Sequence, residues 1–160
     1  MTDPHYTVDK ALTTTQTRIL DAAEGLFVEH GYSATSLRAI ASAAGVNLAA
    51  THYHFGSKQG LFASVFHRCV QPINKARLLL LKELKESERS LTTRSVLESF
   101  FAPLVERVYQ SHQVPALIGR IYAEPESFTK PILEQEFGEV AALYQSTLAE
   151  ISPNVPAEEL

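Results

Sequence analysis

The sequence predicts an all-α fold: an N-terminal three-helix unit containing a helix-turn-helix, joined by a long helix to a second helical domain. Three observations carry it. Apolar residues recur at helical spacing in almost every stretch between breaks. No stretch alternates with period two for long enough to make a strand. Glycines and capping residues stand in the first half where helices must stop and restart.

Residues 1–13, with Pro4 and few apolar side chains, read as a mobile arm. The run Thr13 to Thr15 can cap a first helix reaching about His30, whose Ile19, Ala22, Ala23, Leu26 and Phe27 form one stripe. Gly31 suits the position just past a helix end. Thr35 and Ser36 open the second helix, Thr35 as its cap, and their hydroxyls are also placed to reach a phosphate. That helix buries Leu37, Ile40, Ala41 and Ala44. Gly45 supplies the left-handed backbone of a helix stop, and Asn47 caps a third helix that runs to about His54 without a charge. The turn between the two is short enough for a helix-turn-helix.

Gly56 makes the next bend and Ser57 caps a fourth helix, buried through Leu61, Phe62, Val65, Phe66, Cys69 and Val70. Lys58 lies in its first turn, where the helix dipole disfavours a cation unless an anion is close. Pro72 interrupts the pattern and RLLLLKELKE resumes it, giving one long helix kinked at Pro72 or two in tandem, ending near Ser87. Thr92 or Thr93 opens a helix through Val96, Leu97, Phe100, Phe101, Leu104, Val105 and Val108, with a kink at Pro103. SHQV is a break, and Pro115 suits the first turn of a short helix to about Ala123. EPESFTKP is a second break before a longer helix through Ile132, Leu133, Phe137, Val140, Leu143, Tyr144, Leu148 and Ile151. SPNVP stops it, and AEEL reads as the first turn of another. The expected organisation is therefore an arm over residues 1–13, a helix-turn-helix domain over 14–71 and a helical domain over 72–160.

Charge is distributed unevenly. The net charge is −4, yet residues 33–71 hold Arg38, Lys58, Arg68 and three histidines and no carboxylate. Residues 72–160 carry nine basic against thirteen acidic side chains. A phosphate backbone tolerates the first composition and is repelled by much of the second. No apolar run reaches the roughly 18 residues of a membrane span, and the first ten residues lack a signal-peptide pattern. With a single cysteine, Cys69, no internal disulfide can form, so the expected compartment is the cytoplasm and Cys69 a small buried hydrophobe. No Gly-rich phosphate loop, metal-ligand spacing or nucleophile motif is present, so neither an enzyme, a metal site nor a cofactor is expected. His52 and His54 point about 200° apart on one helix and cannot chelate one metal.

The stretch GLFVEHGYSATSLRAIASAAGVNLAATHYHFGSKQGLF resembles the DNA-binding domain of the TetR family of bacterial transcriptional regulators. The resemblance spans about residues 15–62, through LF-x-x-x-GY-x-x-T, IA-x-x-AGV and YHF-x-SK-x-x-L. NLAA followed by YHFGSK is most similar to a subgroup that includes fatty-acid-responsive regulators of the PsrA kind. Thr51 departs from the usual aliphatic residue, which loosens the packing under the third helix, and His52 from the frequent Tyr or Asn, which alters the base preference.

The resemblance implies a homodimer that represses by occupying a palindromic operator, its paired third helices about one DNA turn apart, ~34–36 Å. It maps groove contacts to Leu48, Ala49, Ala50 and His52 and phosphate contacts to Thr35, Ser36, Tyr53, His54 and Lys58, with Arg38 reaching a phosphate or a base. His54 fits a packed ring equally well. From residue 72 the chain resembles the family's ligand-binding and dimerisation domain, and the two C-terminal helices that usually complete the dimer are missing, so the domain reads as truncated. The candidate lining of its effector site is Phe100, Leu104, Tyr109, Arg120, Tyr122 and Phe137, for a small apolar or acidic molecule such as a fatty acid or acyl-CoA. Aromatic residues at helical spacing serve equally as core, and Arg77, Arg120 and His112 either pair with an acidic ligand or are solvated. A helical protein–protein adaptor and a transcriptional activator of the same fold are the competing readings.

Overall fold

The computed structural model describes residues 12–87 and 91–152, and their regular structure is entirely helical. Seven helices occur among them: α1 (Thr14–Ala34), α2 (Leu37–Ala44), α3 (Leu48–Phe55), α4 (Lys58–Glu86), α5 (Thr93–Gln110), α6 (Gln113–Tyr122) and α7 (Glu126–Ile151). Most of the arm expected over residues 1–13, and the AEEL turn, lie outside the described residues. The chain divides into two compact units, residues 1–62 and 63–160, so the division falls inside α4 and ahead of Pro72.

In the first unit, α1 opens with a reciprocal cap. The Thr13 hydroxyl accepts from the Gln16 N–H at 3.2 Å, while the Gln16 amide oxygen accepts from the Thr13 N–H at 2.8 Å. Gly31, at φ 81° and ψ 171°, breaks the helix where expected, and a further turn carries α1 to Ala34. That break frees carbonyls at the end of the helix. Thr35 answers this: its single buried O–H is shared between the carbonyls of Gly31 at 2.7 Å and Leu26 at 3.1 Å. The cap of α2 is therefore Ser36, whose hydroxyl accepts from the Ala39 N–H at 3.1 Å, and not Thr35 as the sequence suggested.

Gly45 adopts the left-handed conformation, φ 63° and ψ 38°, and the Val46 N–H returns to the Ala41 carbonyl at 3.0 Å, closing α2. Asn47 caps α3 by accepting from the Ala50 N–H at 2.7 Å. Ile19, Leu20, Ala23 and Phe27 of α1 form the core with Ile40 of α2, Phe55 of α3 and Leu61 and Phe62 of α4, all buried. Phe62 meets Phe27 edge-on at 5.0 Å and Tyr32 at 5.3 Å between ring centroids.

The second unit is built from the remainder of α4 with α5, α6 and α7. Pro72, Pro103 and Pro131 all sit inside continuous helices. EPESFTKP is therefore not a break over its whole length. The Pro125 carbonyl accepts from the N–H groups of Phe128 and Thr129, so α7 starts at Glu126. Pro131 removes only a bond to the carbonyl of Ser127, which is exposed and near the helix start. Leu81, Val96, Val140, Tyr144 and Leu148 make a buried cluster, flanked by Phe100 and Ile151. No helix among the described residues is long and apolar enough to cross a membrane.

Candidate nucleic-acid interface and cavity

The two faces of α3 differ sharply. Thr51 and Phe55 are buried inward, whereas Ala49, His52 and Tyr53, three residues at helix-neighbour spacing, are exposed. Tyr53 is 86% exposed. Leu48, Ala50 and His54 flank this outer face half-buried, and the His54 ring packs edge-on against Tyr53 at 5.1 Å between centroids. Leu48, Ala49, Ala50, His52, Tyr53 and His54 thus all reach the surface. Thr35 does not. At 3% exposure, with its hydroxyl spent on two carbonyls, it is removed from the candidate phosphate contacts. Ser36 and Arg38 are exposed on α2.

Several contacts hold this surface in place. Arg18 of α1 donates from Nη2 to the Gly45 carbonyl at 2.9 Å, tying the turn between α2 and α3 to the first helix. A Cβ at Gly45 would come within 2.6 Å of that same nitrogen. Sequence reasoning missed Arg18, because nothing local links it to a turn 27 residues away. The His52 Nδ1 lies 3.1 Å from the Gly56 carbonyl oxygen. A carbonyl only accepts, so Nδ1 carries the proton in this bond, and Nε2 of the neutral ring is an acceptor.

At the start of α4, Ser57 accepts from the Gly60 N–H at 3.0 Å. Lys58 is half-buried, its Nζ 4.2 Å from the centre of the Tyr32 ring and 3.4 Å from the Ser33 carbonyl. These partners offset the unfavourable dipole at its position and leave the charge beside α3. Thr51 has a further peculiarity. It is 1% exposed, and its hydroxyl has no hydrogen-bond partner.

In the second unit a cavity of about 410 Å³ opens among α4, α5, α6 and α7. Phe100, Leu104, Tyr122 and Phe137 line it as expected, joined by Val70, Ile73, Arg77 and Ile118 among others. Tyr109 and Arg120 do not. On α6 the lining positions are Ile118 and Tyr122, four apart, so Arg120 midway between them projects from the opposite side. On α5 the lining runs through Phe100 and Leu104, and Tyr109, 86% exposed, falls off that row.

Comparison with known proteins gives one consistent picture. A family model for bacterial regulatory proteins of the tetR family matches residues 19–65, and one for the tetracyclin repressor-like C-terminal domain matches residues 98–160. The chain is 36% identical over 100 residues to the HTH-type transcriptional regulatory protein RaaS of Mycobacterium tuberculosis, a match covering 62% of this chain and 46% of that protein. It is 29% identical over 103 residues to the HTH-type transcriptional repressor KstR2 of Rhodococcus jostii, covering 64% and 47%. The chain thus spans about half the length of these curated relatives. The solved fatty acid degradation regulator FadR of Bacillus halodurans has the same fold, with a TM-score of 0.67 at 18% identity over 88% of this chain and 70% of that one. With a helix-turn-helix unit matched by one model and a helical unit matched by the other, the chain belongs to the TetR family of bacterial regulatory proteins.

Proposed function

We propose that the chain is a homodimeric, effector-responsive repressor that places α3 in the major groove of a palindromic operator. One observation carries the reading. The outer face of α3, Ala49, His52 and Tyr53, is small and uncharged at one end and ringed at the other, inside a stretch that holds Arg38 and Lys58 and no carboxylate. Small residues let the helix backbone approach base edges, and the flanking cations and hydroxyls meet phosphates. With Nδ1 committed to Gly56, neutral His52 offers the groove an acceptor, which suits the amino groups of cytosine or adenine. The remaining selectivity comes from van der Waals contact and DNA shape.

A small apolar or acidic molecule in the second unit releases the operator, and the cavity among α4 to α7 supplies the space. The similarity of NLAA and YHFGSK to PsrA-like regulators, and the shared fold of a fatty acid degradation regulator, support the fatty-acid-responsive subgroup.

The test is fluorescence anisotropy on the DNA upstream of the protein's own gene across a series of salt concentrations. Binding is expected to be sequence-selective and to weaken steeply with salt. Lys58→Ala is expected to lower affinity equally on all sequences and to reduce the salt slope by about 1, whereas His52→Ala should flatten the preference at one base pair of each half-site. An intact dimer that binds no DNA at low salt would leave the helical adaptor as the better reading.

A further inference from the structure

Arg77 is a charged side chain buried to 4% exposure in the wall of the α4 to α7 cavity. Its partners are all neutral. Nε donates to the Phe100 carbonyl at 2.9 Å, Nη1 donates to the Asn74 side-chain oxygen at 3.1 Å, and the guanidinium carbon lies 4.0 Å from the centre of the Phe100 ring. Asn74 is itself held, donating from Nδ2 to the Glu136 carbonyl at 2.7 Å, so its oxygen is fixed toward Arg77. Among the described residues no carboxylate forms an ion pair with the guanidinium, and Nη2 makes no hydrogen bond. Burial lowers the Arg77 pKa from its usual value, yet an arginine stays protonated in a protein. The cavity therefore contains a fixed positive charge without its counter-charge, on walls that are otherwise largely apolar. A buried charge is costly until it is paired.

We propose that this cavity binds an amphipathic monocarboxylic acid, its carboxylate on Arg77 and its hydrocarbon portion against Ile73, Leu104, Ile118 and Phe137. The inference rests on the effector-responsive reading and gives it a chemical class. Guanidinium and carboxylate match in geometry, and Nη2 still has both its N–H groups to give. The apolar residues supply burial for the chain and none of the donors an alcohol or ester would need. Tyr122, 72% exposed, brings the cavity wall to solvent. At about 410 Å³ the space is at the lower end of the roughly 300–1,000 Å³ usual for small-molecule sites. That suits a free acid better than its coenzyme A thioester, which has no charge at the acyl end and a bulky nucleotide to accommodate.

The test is titration calorimetry of the full chain with decanoate, decanol and decanoyl-CoA, in the absence of DNA. Decanoate is expected to bind at least tenfold more tightly than decanol. In Arg77→Gln that advantage should vanish while decanol binding persists, and Arg77→Lys should keep part of it. Equal binding of decanoate and decanol by the unaltered chain, or tighter binding of decanoyl-CoA than of decanoate, overturns the proposal without needing any variant to fold. Acid binding by a chain that shifts no DNA would break the repressor reading alone. Operator binding with no preference for the acid would break this inference alone.

Discussion

The two units solve opposite problems with the same secondary structure. In the first, Gly31 kinks α1, Gly45 and Gly56 at positive φ end the short helices α2 and α3, and α2, α3 and α4 each start on a side-chain cap. In the second, no glycine among the described residues has positive φ, four prolines (Pro72, Pro103, Pro115 and Pro131) lie within helices, and the buried polar groups include Arg77 and Asn74 beside a cavity. One arrangement fixes a small surface firmly; the other keeps space open and holds charge at its edge. The lesson is that turn chemistry decides the first unit and side-chain polarity the second, so they should fail under different substitutions.

The largest expected effect is on the turn. Gly45→Val forces a β-branched residue into the left-handed region and drives its Cβ into Arg18, which should destabilise the first unit by about 1–3 kcal/mol. Urea unfolding measures it, and Gly45→Asn, which tolerates that conformation, should lose clearly less. Equal losses would mean that the backbone geometry is not what matters there. Thr51→Val should act in the opposite direction. It keeps the shape and removes a buried hydroxyl with no partner, so stability should rise by about 1 kcal/mol. A fall would show that the hydroxyl has a hidden role under α3.

The smallest effect belongs to the second unit. The His67 Nδ1 sits 3.0 and 2.8 Å from the two carboxylate oxygens of Glu136. Burial raises the Glu136 pKa, against the lowering pull of the His67 charge and hydrogen bond. The folded chain therefore keeps this proton to higher pH than the unfolded chain does. Its contribution to stability is complete below the ordinary glutamate range, near 4.3, and is lost as pH rises through the raised folded value. Glu136→Gln cannot titrate, so its melting temperature should fall less than that of the unaltered chain as pH rises from the mid-4s to 7. Parallel curves would remove Glu136 from the pH response.

What could be seen in the sequence was local. Helix periodicity, the left-handed Gly45 and the Asn47 cap are set within a few residues, and all appear in the structure where expected. The exchange of roles between Thr35 and Ser36 was not legible, because it depends on which carbonyls the α1 terminus leaves free. The early start of α7 was hidden by Pro131, whose lost bond is harmless at an exposed first turn. Tyr109 and Arg120 were grouped with the cavity by composition, whereas membership is decided by the rotation of α5 and α6, which no single helix encodes. For the same reason the two roles open to Arg77 in the sequence, partner of an acidic ligand or solvated cation, could not be separated until the surrounding helices enclosed it.

The sparse outer face of α3 has a consequence at the scale of a genome. A helix offering one imidazole, one phenol and a few methyl groups can distinguish only a handful of letters, and a handful of letters recurs often by chance among the very many competing sites of a chromosome. Each copy of α3 would then be a poor address on its own. In the proposed dimer, the information that singles out one promoter lies largely in the distance between two such copies, because a fixed gap between two common words is rare where either word is not. Whatever alters that distance erases the address without touching a single letter of it.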